Sequence, residues 1–415
     1  MDTDPPDVAP LPDGSRDVLP VEASELAAIE ASLRSTFAGF GYREVRTPLL
    51  EFADVMDRAQ EGGLGRAFRM FDDHGQVLVV RPDLTIPVAR LVAGRLADHP
   101  GPVRVSYVTE RARPAPAGRA QRAEELQAGI ELVGLPGPAA DAEVIAAVVG
   151  ALRALGITDL RVALGDVSLT RAVLDGLGVA DADQSALGEA VRARNFVAWR
   201  RAAEALSLNA EEREVVAKLP SLRGGREILR DLAARVPSAE PACDALLATL
   251  ALLDDHGAGD AVMVDLGVLR DWGYYSGVVV EAYAPGVGRP VAVGGRYDGL
   301  VGKFGSPRPA IGAAVILDRL HEAIAARNGD GVLPDGVVLA GGIDAELALA
   351  ATLRAAGFVV VGLPDDEAVA KRLAEVDGWR FVVRRTETGY AVADRASGET
   401  VDCHDVVEEL KSRRS

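Results

Sequence analysis

The sequence is short of the residues that metal and disulfide chemistry require. Its 415 residues include only two cysteines, Cys243 and Cys403, far apart, and five histidines scattered along the chain. This spacing argues against a zinc ligand set or a disulfide framework and fits a reducing cytoplasm. A chain of this length buries enough apolar surface to fold as two or three domains without such staples. No apolar run approaches the ~18 residues of a membrane span. The first ten residues, M-D-T-D-P-P-D-V-A-P, are acidic and proline-rich and lack the basic and apolar stretches of a signal peptide. The expectation is a soluble cytoplasmic protein with a disordered tail over residues 1–10. Basic charge is also scarce, with a formal net charge of -17. Contacts from Lys and Arg to phosphate dominate affinity for nucleic acid, so this balance disfavours an RNA partner.

What is present is periodic. Leu26, Ile29, Leu33 and Phe37 recur at helical spacing within residues 21–40. Y-R-E-V-R-T-P-L-L-E, residues 42–51, reads as one strand with Pro48 near its end, and residues 68–71 and 77–80 flank D-D-H-G-Q as a hairpin. Residues 102–113 and 124–134 read as two strands joined by a loop, P-A-P-A-G-R-A-Q-R-A. About residues 168–256 strand signals almost vanish and helical segments alternate, among them one over 187–205, as expected of a helical insertion between two parts of a sheet. From residue 334 onward strand and helix alternate three times, predicting a small α/β domain.

Three polar clusters sit on these predicted strands. Asp83 and Thr85 lie two apart after residues 77–80, and either of them also suits the N-terminus of the helix predicted from Ile86. Gln127, Gly129 and Glu131 alternate on one face of the return strand, with Arg113 at the end of its partner. An arginine facing two carboxylates can hold a zwitterion, Arg113 taking the carboxylate and Glu131 with Asp83 taking the ammonium. A solvated sheet face with a salt bridge gives the same pattern. The third cluster, in residues 262–320, combines Tyr274, Tyr275, three arginines (Arg270, Arg296 and Arg319) and the glycines Gly277, Gly294 and Gly295, where a close backbone approach is expected.

On these segments the chain resembles the class II aminoacyl-tRNA synthetases of the histidyl type, from Leu11 onward. Residues 42–51 are similar to the first motif of that class, Arg113 with Q-A-G-I-E to the second, and P-A-I-G-A-A-V-I-L-D-R-L to the third. R-D-W-G-Y-Y-S-G and G-G-R-Y-D-G-L resemble the two stretches peculiar to histidyl enzymes. The resemblance implies an α+β fold: an antiparallel sheet flanked by helices over residues 11–326, carrying the helical insertion, then a domain over 334–415 like a shortened anticodon-binding domain. It places a histidine pocket at Asp83, Thr85, Arg113, Gln127, Glu131, Arg270, Tyr274, Tyr275 and Tyr297. Asp83 is one methylene shorter than the glutamate usual in the synthetases.

The nucleotide positions depart from the synthetase pattern. Ala115 stands where a glutamate contacts adenine, Glu125 where an aromatic stacks on it, Ile316 where a glycine keeps the floor low, and Gly273 where the histidyl motif has aspartate. Losing base stacking costs about 1–3 kcal/mol. R-P-D-L-T-I-P-V-A-R, residues 81–90, resembles instead the ATP phosphoribosyltransferase regulatory subunits. That family implies a protein with no catalytic residue, metal or cofactor. It also implies a homodimeric core that docks short-form catalytic subunits into a hetero-oligomer and answers to L-histidine as feedback effector. The alternative is a histidyl-tRNA synthetase with unusual ATP contacts.

Overall fold

The computed structural model describes residues 10–59, 65–114, 122–193, 195–268, 274–328, 336–340, 343–363, 367–376 and 378–413. The expected tail, up to residue 9, and the positions Ala115, Arg270 and Gly273 lie outside the described residues. Two compact units are present, Leu26–Ile324 together with the segment ending at Asp17, and Val18–Glu25 together with the chain from Ala325 on.

From Leu26 on, α1 (Pro20–Gly39) belongs to the first unit, and it buries Leu26, Ile29, Leu33 and Phe37 at the expected spacing. Next come β1 (Arg43–Glu44), β2 (Leu50–Phe52), α2 (Ala53–Ala59), β3 (Arg69–Phe71), β4 (Val77–Val80) and α3 (Thr85–Arg95). The long strands β5 (Val103–Ala112) and β6 (Glu124–Val133) lead to α4 (Pro138–Ala154) and β7 (Arg161–Asp166). The helical stretch comprises α5 (Val167–Gly176), α6 (Asp181–Arg192), α7 (Phe196–Glu204) and α8 (Ala210–Lys218), then a short strand β8 (Arg223–Gly224), α9 (Glu227–Arg235) and α10 (Glu240–Asp255). β9 (Val262–Asp265), β10 (Val278–Tyr283), β11 (Ala292–Arg296), β12 (Ala310–Ile316) and α11 (Leu317–Asn328) complete it.

These strands form a nine-stranded sheet in the order β1-β5-β6-β12-β11-β10-β7-β9-β8. Its central six strands are antiparallel throughout, and parallel pairs, β1 with β5 and β7 with β9, occur only towards the edges. One face is covered by α4, whose nearly all-round apolar sequence is explained by its position between β12 and α10. The other face carries the polar side chains of β5 and β6.

The expected strand over residues 42–51 is two short strands in different sheets: β1 pairs with β5, whereas β2 joins β4 and β3. The break has a local cause. Pro48 has no N–H to give to a ladder, and the carbonyls of Thr47 and Pro48 turn to the buried Arg81 guanidinium, at 2.8 and 3.1 Å from Nη1. The hairpin of β3 and β4 forms as expected around Asp72, whose side chain accepts the N–H of His74 and Gln76. The helix expected over 187–205 is likewise divided into α6 and α7, because the Asn195 side chain accepts the Ala198 N–H and starts a new helix.

The second unit contains β13 (Gly336–Ala340), α12 (Ile343–Ala355), β14 (Val359–Leu363), α13 (Glu367–Val376), β15 (Phe381–Arg385), β16 (Tyr390–Asp394), β17 (Glu399–Cys403) and α14 (Val406–Ser412). Its sheet order is β14-β13-β15-β16-β17, parallel over the first three strands and antiparallel beyond. The hairpin β16–β17 was not anticipated from the sequence. Among the described residues, no helix is long and apolar enough to cross a membrane and no group of side chains could hold a metal ion.

Candidate functional site

The period of two along β5 and β6 builds the site. Tyr107, Thr109 and Arg111 on β5 pair with Gly129, Gln127 and Glu125 on β6, so alternate side chains from both strands rise on one face. The next strand, β12, sets Gly312 beside Glu131, Ala314 beside Gly129 and Ile316 beside Gln127. Over this floor lies a cavity of about 200 Å³, lined chiefly by Asp83, Thr85, Tyr107, Arg111, Arg113, Gln127, Tyr274, Tyr275 and Tyr297 with the backbones of β11 and β12. It is smaller than the ~300–1,000 Å³ typical of drug-sized ligands. Its lining is predominantly polar.

Glycine makes this floor possible. A Cβ at Gly312 would overlap the Glu131 carboxyl, one at Gly129 would overlap the Tyr107 ring, and one at Gly295 would lie 2.7 Å from the Tyr275 ring. Three large side chains therefore lie flat where a pleated sheet would normally raise its own side chains. Gly294, also expected to permit a close approach, is crowded by the backbone of β12, and Gly277 by the Arg296 side chain.

The loop between β4 and α3 delivers Asp83 and Thr85. It is held by Arg81, whose Nε donates to the Glu110 carbonyl at 2.9 Å and whose Nη2 donates to the Thr109 hydroxyl. Asp83 and Thr85 do not continue a strand, as β4 ends at Val80 and α3 begins at Thr85. Asp83 Oδ1 accepts the Ile86 N–H at 3.0 Å, so the capping reading is correct, yet the same side chain lines the cavity. Arg113 Nη2 and Arg111 Nη1 both donate to the Pro82 carbonyl, at 2.9 and 3.1 Å, placing two guanidinium groups at the end of the cavity towards this loop.

Glu131 is only 1% exposed. The hydroxyls of Tyr107, at 3.5 Å, and of Tyr297 donate to its two oxygens. Burial pushes its carboxyl up to about 8, against the opposing hydrogen bonds of Tyr297, Thr85 and Tyr107 and with some help from the Asp83 charge. The phenols of Tyr107, Tyr274 and Tyr297 are themselves driven well above their ordinary value, by burial first and nearby carboxylate charge second. Tyr274 meets Tyr275 edge to face at 5.1 Å and stands 5.8 Å from Tyr297. Among the described residues its hydroxyl is buried with no partner at good hydrogen-bond geometry, a bond that a ligand in the cavity can complete.

Eight of the nine expected pocket residues thus fall together: Asp83, Thr85, Arg113, Gln127, Tyr274, Tyr275 and Tyr297 line the cavity, and Glu131 lies beneath it. The ninth, Arg270, lies outside the described residues. Among the polar side chains of the lining two were missed, Tyr107 and Arg111. Their signal was available, since Tyr107, Thr109, Arg111 and Arg113 alternate along β5 as Gln127, Gly129 and Glu131 do along β6. Of the three arginines expected on the floor, Arg270 lies outside the described residues, Arg319 does not line the cavity, and neither does Arg296. Its guanidinium binds Asp141 at 2.6 and 2.9 Å and Asp298 at 3.0 Å, tying β11 to the first turn of α4.

The raised Glu131 value has a consequence for stability. The folded protein keeps the proton that the unfolded chain, with an ordinary value of 4.5, has released, so this group's contribution falls as pH rises from 4.5 through about 8. Glu131→Gln, which keeps the shape and cannot ionise, is expected to melt above the unliganded parent at about pH 8.5, the gap closing towards about pH 5. Differential scanning calorimetry across this range checks it, and a gap independent of pH refutes the assignment.

The family model described as histidyl-tRNA synthetase matches residues 14–320. Over 357 residues the chain is 38% identical to the ATP phosphoribosyltransferase regulatory subunit of Moorella thermoacetica, covering 85% of this chain and 91% of that protein. It is 39% identical over 362 residues to the subunit of the same name from Symbiobacterium thermophilum, covering 84% and 90%. Among solved structures, an ATP phosphoribosyltransferase regulatory subunit/histidyl-tRNA synthetase from Bacillus halodurans matches with a TM-score of 0.80 at 30% identity, over 92% of this chain and 99% of that one. A histidyl-tRNA synthetase from Nostoc sp. matches with a TM-score of 0.81 at 20% identity, a likeness of fold alone. The fold is the class II synthetase-like fold expected from the motifs, and the chain belongs to the family of ATP phosphoribosyltransferase regulatory subunits.

Proposed function

We propose that this chain is a non-catalytic subunit that activates a separate short-form ATP phosphoribosyltransferase and senses free L-histidine in the cavity on β5, β6 and β12. The names of its relatives support the first half of this reading. The observation that carries the second is a cavity of amino-acid size that combines acidic groups, Asp83 and the Glu131 beneath it, with basic ones, Arg111 and Arg113, and is walled by Tyr274 and Tyr275. A zwitterion fits such poles, its ammonium towards Asp83 and towards Glu131, which gives up its proton as the positive charge arrives, and its carboxylate towards the guanidinium groups, while the aromatic wall takes the imidazole. An effector shifts an assembly only through different affinities for its states, so histidine must bind the inhibited form of the complex more tightly than the active one.

A histidyl-tRNA synthetase is the competing reading, favoured by the family model over residues 14–320. Against it stand the side chains at the nucleotide end. Ile316 is 3% exposed and shares the floor with Gln127, and Glu125 carries a charge where base stacking needs a ring. The purified chain is expected to show no histidine-dependent ATP–pyrophosphate exchange, and exchange at a synthetase's rate would transfer the assignment to that reading.

The assembly is proposed to rest on a homodimer. The sheet β2-β4-β3 leaves Leu49, Phe52, Phe68 and Phe71 exposed, Phe71 by 76%, an apolar patch that suits burial against a second copy. Light scattering at micromolar concentration is expected to give a dimer for the parent and a monomer for Phe71→Glu. A monomeric parent overturns the proposal.

L-Histidine is expected to raise the melting temperature by mass action, about 2.7 kcal/mol at a hundred times its Kd. Glu131→Gln removes the deepest partner of the ammonium, a loss of about 2–5 kcal/mol by analogy with truncated buried charge pairs, and so abolishes binding at millimolar ligand. The variant complex remains active and becomes insensitive to histidine. Isothermal titration calorimetry checks both statements: unchanged affinity in Glu131→Gln means that the ligand lies elsewhere, and no binding by the parent refutes the sensing role.

A further inference from the structure

We propose that the helical stretch carries a separate binding site, a cavity between α7 and the end of α8 that takes a small aromatic carboxylate. Its volume is about 240 Å³, somewhat larger than the cavity on β5, β6 and β12 and still of the size of one ring with a short acid chain. Phe196, Trp199 and Arg200 line it from α7, Ala217 from α8, Pro220 from the turn Leu219–Ser221, and Arg223 from β8. It shares no lining residue with the first cavity, so the inference is independent of the reading given to that one.

The walls follow from the local sequence. The Asn195 side chain starts α7 by accepting the Ala198 N–H, and from there a spacing of three and four residues puts Phe196, Trp199 and Arg200 on one face. Trp199 is buried, and its Nε1 donates to the Val216 carbonyl at 2.9 Å, which ties α7 to α8. The turn is fixed from the sheet side: the Leu266 N–H donates to the Leu222 carbonyl at 3.0 Å, and a Cβ at Gly267 would lie 2.4 Å from the Pro220 carbonyl oxygen. These ties are made within the fold, so the cavity is formed before any ligand arrives.

Charge selects an anion. In a chain of net charge -17, the charged side chains lining this cavity are two arginines and no carboxylate. Asp265, which does not line it, holds Arg223 through Nε at 2.9 Å, and the Arg223 side chain remains 58% exposed. Among the described residues Arg200 has no ion-pair or hydrogen-bond partner. The Ser221 hydroxyl already donates to the Lys218 carbonyl at 2.6 Å, so donors for a ligand come from the guanidinium groups, which match a carboxylate. The rest of the ligand is set by Phe196, a ring left 49% exposed beside the Trp199 wall, which a second ring would cover. Inorganic phosphate lacks that ring, and a short aliphatic acid leaves Phe196 wet.

Hydrocinnamate is the probe, and isothermal titration calorimetry of the full chain is the readout. The parent is expected to bind it saturably at millimolar concentration or below. Hydrocinnamyl alcohol, which lacks the charge, and propionate, which lacks the ring, are expected to bind at least ~10-fold more weakly. Arg200→Gln deprives no group of the fold of a partner, so the variant should fold as the parent does and lose ~10-fold in affinity, part of which Arg200→Lys recovers. A tripeptide ending in phenylalanine separates the sources of the acid: equal or weaker binding assigns the cavity to a free acid, and tighter binding to the C-terminal residue of another chain. No saturable binding of hydrocinnamate by the parent, equal binding of the alcohol, or an affinity unchanged in Arg200→Gln overturns the proposal.

Discussion

The Glu131 carboxyl rests against the backbone of Gly312, and this single approach dictates the composition of the surrounding strands. A carboxyl buried to this depth must be surrounded by donors or neutralised, since burying an unpaired charge costs several kcal/mol. The hydroxyls of Tyr107 and Tyr297 supply donors from two sides, and their rings need room above the sheet. Gly129 and Gly312 provide that room where any side chain would overlap them. The apolar face of the same strands, Ile130 and Leu132 at 0% exposure, is ordinary core. One strand thus serves two environments, and its alternation is the record of both.

Charge is distributed over the site in a graded way. Asp83 is shared between a helix terminus and the cavity, Arg111 between the cavity and Glu125, and Arg319 is committed to Glu125 and the Pro290 carbonyl. Arg296, next to Tyr297 in the chain, is committed to Asp141 and Asp298 and does not line the cavity. Groups whose partners lie within the fold are structural. Groups left partly unsatisfied, such as the Tyr274 hydroxyl, are those a ligand can complete.

Much of this was legible because the site is built on strands and their period of two is explicit. The order Gln127, Gly129, Glu131 predicted one polar face, and α1 announced itself by Leu26, Ile29, Leu33 and Phe37. Tyr107 and Arg111 share the period-two face of β5 with Thr109, and it is the pairing register of β5 with β6 that sets this face over the cavity floor. The break between β1 and β2 escaped because its cause, Arg81, is more than thirty residues away in sequence and acts through main-chain carbonyls. The hairpin β16–β17 extends the parallel strands of the second unit by antiparallel pairing with β15, and its strands, Y-A-V-A-D and E-T-V-D-C, lack the β-branched run that marked β10. Arg296 was misassigned for a different reason: sequence places it beside Tyr297, but the strand turns the two side chains to opposite faces.

The same period separates recognition from chemistry. Along β6 the polar side chains on the cavity face are Glu125, Gln127 and Glu131, and only the first stands at the end where the synthetase resemblance implies a nucleotide. Replacing a ring by a carboxylate there leaves the Glu131 end untouched, because the two lie six residues, about 20 Å, apart along an extended strand. A protein that transfers a group between two substrates needs both ends of this face open at once. A sensor needs one. The proposed subunit can therefore have kept the fold, the tyrosines and the acidic pole of a synthetase-like site while the remaining arginines closed upon a carboxylate of their own, with no rearrangement of the sheet that carries them.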